Sequence, residues 1–146
     1  MFTIERTIVI NRPQQEVFDF ASDPAHAHKW LKVVKSKNWI SERPHGVGST
    51  QRVVARYMGR DMEATNEYTV WDPPNQNVFK TLNSPLQIEE GMRFEPTGNS
   101  TKVTWSMRLE ANGIFRLFEG LFKKQAESQA VTNLETLKHF LEENTI

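Results

Sequence analysis

From about Val33 to Glu110 the chain alternates apolar and polar residues with period two. The pattern is punctuated at Pro44-His45-Gly46, Met58-Gly59-Arg60-Asp61, Asp72-Pro73-Pro74-Asn75, Asn83-Ser84-Pro85 and Pro96-Thr97-Gly98-Asn99. Turns at that spacing predict a meander of antiparallel strands. After Asn112-Gly113 the chain contains no Pro and, of glycines, only Gly120, which predicts one helix of roughly 45 Å. A sheet with one apolar face and a single long helix can bury both only if the helix lies across the sheet.

The chain opens differently. Phe2 to Ile10 is rich in Ile, Val and Thr and reads as a strand, ended by Asn11-Arg12-Pro13, where Pro suits a first helical turn. Val17, Phe18 and Ala21 then form a narrow apolar stripe. Asp23-Pro24 supplies a cap and first position for a second short helix ending near Trp30-Leu31. The predicted order is strand, two short helices, meander, long helix, within a single domain spanning residues 1–146.

Two hairpins yield a register. With Gly59-Arg60 as a two-residue loop, Met58 pairs with Asp61, Arg56 faces Glu63 and Arg52 faces Glu67. The other face then matches Tyr57 with Met62, Ala55 with Ala64, Val53 with Asn66 and Gln51 with Tyr68. Around a Pro96 to Thr101 loop, Glu95 pairs with Lys102 and Glu89 with Arg108 on the charged face. The opposite face pairs Phe94 with Val103, Met92 with Trp105, Glu90 with Met107 and Ile88 with Leu109. A one-residue slip would bury both salt pairs and expose four large apolar residues, so the register is strongly specified. The helix stripe starts with Ile114, Phe118, Leu121 and Phe122. It drifts to Ala126, Ala130, Leu134, Leu137 and Leu141, as expected if the sheet curls about it.

Composition narrows the function classes. The chain has 146 residues, with Lys plus Arg and Asp plus Glu both at 18, so it lacks the basic excess that drives phosphate-backbone binding, and nucleic acid is not expected as a partner. The absence of Cys excludes disulfides, thiolate metal sites and Cys nucleophiles and suits a cytoplasmic protein. The N-terminus lacks a signal-peptide layout, and no apolar run approaches membrane-spanning length, so integral membrane association is not expected.

The segments Ile8-Val9-Ile10-Asn11-Arg12-Pro13-Gln14-Gln15-Glu16-Val17-Phe18, Trp30-Leu31, Gly46-Val47-Gly48, Tyr68-Thr69-Val70-Trp71-Asp72-Pro73-Pro74 and Phe94-Glu95-Pro96 with Thr101-Lys102-Val103-Thr104-Trp105 carry a resemblance. Together with the element order, they resemble the polyketide cyclase/START-related superfamily, which includes the birch pollen allergen. The resemblance implies an α+β helix-grip fold, a curved antiparallel sheet of six to seven strands around the long helix. It also implies a cavity between them that in relatives holds sterols, lipids, quinones, plant hormones or polyketides. No catalytic motif is shared across that superfamily, so the resemblance implies a place for the site and no residue roles.

The derived register turns Glu90 inward among Ile88, Met92 and Met107, where an ion is poorly solvated; it either binds ligand or serves as a general acid. The competing reading is a bulge at Glu89-Glu90-Gly91 that swings it outward, or a place at a solvated pocket mouth. Gln51, Asn66 and Tyr68 also point inward and could orient a ligand oxygen, or simply satisfy one another. Gln125 and Gln129 either complete the pocket from the helix or lie in solvent. Met92, Trp105, Met107, Phe118, Leu121 and Phe122 are core by periodicity and ligand-lining only by resemblance.

No cofactor and no metal site is expected. His26 and His28 lie two apart, and neither His45 nor His139 has a partner at helical spacing. Gly46-Val47-Gly48 lacks the context of a phosphate loop, and no Gly-x-Ser-x-Gly elbow is present. Three functions stay open: a binding protein for a small lipophilic or aromatic molecule, a cyclase or dehydratase using Glu90, and a co-chaperone-like interaction module. For the last, the facing of Trp39 and Trp71 would be informative, and the sequence leaves it unassigned.

Overall fold

The computed structural model describes residues 1–57, 59–84 and 86–143, with the backbone alone at Tyr57. Strands β1 (Phe2–Ile10), β2 (Val34–Trp39), β3 (Thr50–Tyr57), β4 (Arg60–Asp72), β5 (Gln76–Leu82), β6 (Leu86–Thr97) and β7 (Ser100–Ala111) form one antiparallel sheet in the order β1-β7-β6-β5-β4-β3-β2. The meander predicted from β2 to β7 is therefore present, and β1 joins it beside β7. Helices α1 (Gln14–Ser22) and α2 (Ala27–Trp30), with a 3-10 turn at Pro24–His26 between them, connect the two sheet edges. The Asp23 carboxylate caps that turn, accepting from the Ala25 amide at 2.9 Å. This is the helix-grip arrangement.

The long helix is shorter than its glycine- and proline-poor stretch allows. A 3-10 segment, Gly113–Phe118, precedes α3 (Glu119–Glu143), in keeping with the tighter winding common at helix starts. The far end of α3 is pinned to the corner after β1. Arg12 Nε donates to the Leu141 carbonyl at 2.8 Å, satisfying one of the last acceptors of the helix, and the Asn11 amide donates to Glu142 at 2.8 Å.

The β6/β7 register is the predicted one: Glu95 opposes Lys102, Glu89 Arg108, Glu90 Met107, Met92 Trp105, Phe94 Val103 and Ile88 Leu109. The strands run further than expected, to Thr97 and Ser100, leaving Gly98 and Asn99 as the turn, with Gly98 at φ 62°. The β3/β4 hairpin departs from prediction. Tyr57 pairs with Arg60 and Arg56 with Asp61, so the turn falls one residue earlier than expected, with Gly59 at φ 77°. The expected pairing of Met58 with Asp61, and Pro85 of the Asn83-Ser84-Pro85 turn, lie outside the described residues.

Every partner across β3/β4 thereby moves by two, which preserves the faces and changes the pairs. Gln51 opposes Asn66 rather than Tyr68, and Ala55 opposes Met62. The Arg52 guanidinium grips Glu63 through bonds of 2.6 and 2.8 Å instead of meeting Glu67, while Glu67 lies 3.5 Å from Lys80.

Apolar packing is concentrated on one side of the inner face. Ile10, Val17, Phe18, Trp30, Met92, Phe94, Val103, Leu134, Leu137 and Leu141 form one cluster. Phe2, Ile4, Leu109 and Ala111 form another, on which Ile88, Trp105, Met107, Phe122 and Ala126 pack. Both join α3 to β1, β6 and β7. Among the described hydrophobic residues of β3, β4 and β5, only Trp71 packs against either cluster.

Candidate functional site

Adjacent strands set the inner face in rows. Trp39, Gln51, Asn66 and Thr81 lie side by side across β2 to β5. In the next row Tyr68, Phe79, Glu90, Met107 and Ile4 run from β4 to β1, and beyond it come Trp71, Asn77, Met92, Trp105 and Arg6.

Glu90 faces inward because no bulge interrupts its strand. The ladder is continuous through Glu89, Glu90 and Gly91 on both sides. Gly91 has a different reason: a Cβ there would lie 2.9 Å from Val78 Cγ2 and 3.2 Å from the Asn77 carbonyl oxygen, so a bare backbone is needed on the outer face.

Two irregularities bring in side chains that alternation alone would misplace. A register shift between Tyr68 and Val70 on β4 turns both Tyr68 and Trp71 inward, three residues apart. Another between Val34 and Ser36 on β2 leaves Lys37 beside Val53 and Trp39 beside Gln51. Trp39 stacks on His45 with centroids 3.7 Å apart, and Trp39, Tyr68 and Trp71 meet one another at 4.9 to 5.7 Å. Tyr68 also meets Phe79 edge-on at 5.7 Å. Trp39 and Trp71 thus belong to an inward aromatic cluster.

Lys37 was not singled out by sequence. Its row neighbours Val53 and Ala64 are small, so its stem crosses the sheet and sets Nζ 5.0 Å from the Phe79 ring centroid. Glu90 is the cross-strand neighbour of that ring. Burial pushes the Glu90 carboxyl above the usual carboxylate range, with the Lys37 ammonium and the Trp105 indole pulling it back in part. Burial likewise lowers Lys37, and Glu90 opposes the effect. The two groups sense each other but do not close to an ion pair of 4.0 Å or less. Both retain partial accessibility.

Around this pair the polar groups are incompletely satisfied. Tyr68 Oη donates to Gln51 Oε1 at 3.4 Å, and burial raises the phenol strongly, the Gln51 bond opposing and Glu90 adding to the shift. Thr81 Oγ1 donates to Asn66 at 3.1 Å, and Asn77 donates to Ser22 at 2.9 Å. Gln51 is 1% exposed, and among the described residues its Nε2 has no acceptor, a costly state for a buried donor.

Gln51, Asn66, Tyr68, Glu90, Met92, Trp105 and Met107 therefore share the inner face, with Phe122 packed at its edge. Phe118 and Leu121 are 48% and 60% exposed, and Gln125 is exposed too; Gln129 is partly buried. Lys37 was missed because β2 is short and bulged; its one sequence signal is its spacing of two from Trp39, which puts both on one face. Two surface clefts are present, one of about 580 Å³ beside Asp19, Phe20 and His26 and one of about 420 Å³ around Gly91 and Ser106 whose lining also includes Glu90 and Met107. Neither draws on the aromatic cluster or Lys37.

The chain resembles solved structures in fold. A protein of Thermus thermophilus is 23% identical, with 99% of this chain and all (100%) of that one covered, at a TM-score of 0.83. The Zhui aromatase/cyclase from a Streptomyces species is 13% identical over 99% of this chain and 96% of its own, at a TM-score of 0.82. A START superfamily protein from Mycobacterium smegmatis is 15% identical over 98% and 99%, at 0.81. No curated protein matches the chain. The model of one family spans residues 1–142, and by that match the chain belongs to the family described as polyketide cyclase/dehydrase and lipid transport.

Proposed function

We propose that this protein binds a small lipophilic or aromatic molecule in the interior between the sheet and α3. The observation that carries the reading is the partly accessible Lys37 and Glu90, facing each other across the aromatic wall without pairing directly. A few convergent polar groups in an apolar surround are what fixes a small ligand. Tyr68, Phe79 and Trp105 offer flat ring surfaces, which favours a planar ligand over a flexible acyl chain and places lipid transport second. The reading takes residues 1–146 as one domain working in the cytoplasm, in keeping with the absence of Cys.

The test is quenching of tryptophan fluorescence on titration with planar aromatic ketones and phenols, beside fatty acids and sterols. Saturable binding of an aromatic compound, weakened about tenfold or more by Lys37→Met or Glu90→Gln, is the expected result. Absence of binding across the panel would sink the proposal. A second reading, a cyclase or dehydratase with Glu90 as acid/base and Asn66 or Tyr68 polarising a carbonyl, is favoured by the placing of a carboxyl and an amine on one wall, with burial raising Glu90 and lowering Lys37. It requires turnover of the bound compound, lost in Glu90→Gln. The interaction-module reading loses its support from Trp39 and Trp71, because both rings stack inward.

A further inference from the structure

Where β7 hands over to α3, large apolar side chains stand in solvent: Ile114 is 68% exposed, Leu117 81%, Phe118 48% and Leu121 60%. Ile114 and Leu117 lie one turn apart in the 3-10 segment, and Phe118 and Leu121 lie one turn apart where α3 begins, so the four form a contiguous strip. They cannot join the core, because Phe122 and Ala126 take the inward direction of the same helix. A contiguous apolar strip of this kind on a water-exposed surface marks a contact site.

Charge identifies the occupant. The whole chain balances at 18 basic and 18 acidic residues, but the segment carrying the strip holds the exposed Arg116, Lys123 and Lys124. Its one acid, Glu119, is engaged by the Met1 amino group. A second copy meeting the strip about a two-fold axis would bring like charges together. An anionic lipid surface accepts both the apolar side chains and the cations.

We propose that residues 113–124 dock this protein peripherally on an anionic bilayer, with Ile114, Leu117, Phe118 and Leu121 entering the headgroup boundary. No described helix is long and apolar enough to cross a membrane, so the attachment is in-plane and reversible. The strip runs directly into Phe122, which packs at the edge of the sheet–helix interior, so docking brings that interior to the bilayer surface. The docking stands whether or not the interior binds a ligand.

Flotation with phosphatidylcholine vesicles, with and without phosphatidylserine, tests it on the full chain. The expected result is binding that requires phosphatidylserine and weakens with salt. Ile114→Ser with Leu117→Ser should lower it about tenfold or more, as should Lys123→Glu with Lys124→Glu, and neither pair should change the thermal midpoint. No flotation of the wild-type protein at low salt overturns the proposal. So does a concentration-dependent dimer in sedimentation that the Ile114→Ser, Leu117→Ser protein no longer forms, because a second copy then covers the strip.

Discussion

The half of the inner face beneath α3 and the half beyond it are built from different chemistry. Beneath the helix, β1, β6 and β7 meet Leu134, Leu137 and Leu141 through aliphatic and aromatic side chains that exclude solvent. Beyond it, β2 to β5 carry Lys37, Gln51, Asn66, Tyr68 and Phe79, where an amide lacks an acceptor and Lys37 reaches toward Glu90 of β6 without pairing with it. The first arrangement stabilises the fold; the second, on the proposed binding reading, forgoes stability for groups that a ligand would satisfy. A domain of this size can hold such a site because the other half supplies enough burial.

The largest expected effect is on the helix side. Leu137 is fully buried, so Leu137→Ala should cost about 2–5 kcal/mol in urea unfolding. A loss below about 1 kcal/mol would mean that the helix side is not the better packed half.

Next comes the pH dependence of the polar half. Burial makes the folded protein hold the Glu90 proton more tightly than the unfolded chain does, so the unfolded state binds fewer protons once pH exceeds the ordinary value of 4.5. Stability from this group is complete below that value and declines as pH rises through the raised one. Lys37, lowered by burial, has the opposite slope, with stability lost as pH falls from the ordinary 10.5 through its folded value. Across weakly acid to neutral pH, urea midpoints of the wild type should fall relative to those of Glu90→Gln as pH rises. An unchanged slope would place Glu90 in ordinary solvent.

The smallest effect sharpens the comparison most. Gln51→Leu removes an unsatisfied buried donor together with a long 3.4 Å acceptor for Tyr68, so stability should change by less than about 1 kcal/mol in either direction. A penalty as large as that of Leu137→Ala would show that the two halves are packed alike.

Periodicity carried a good part of this protein. The β2 to β7 meander follows from the turn spacing, the burial of Leu134, Leu137 and Leu141 from helical spacing, and the β6/β7 register and inward turn of Glu90 from alternation, because a slipped register would strand charges in the core and greasy side chains in water. The β3/β4 register was less legible. Both faces survive a shift of two, so nothing in the pattern distinguishes one loop position from the next. The outward strip from Ile114 to Leu121 was misjudged for a related reason: an apolar stripe on a helix does not say whether it faces the sheet or solvent.

The sequence by itself determined the layers and their faces, since these depend only on side-chain period and on which residues water rejects. Tertiary structure alone decided the candidate site. The bulges at Val34/Ser36 and Tyr68/Val70 change which side chains point inward. The reach of Lys37 over Val53 and Ala64 to Phe79 and toward Glu90 joins residues on three strands far apart in the chain, and only the folded sheet brings them together.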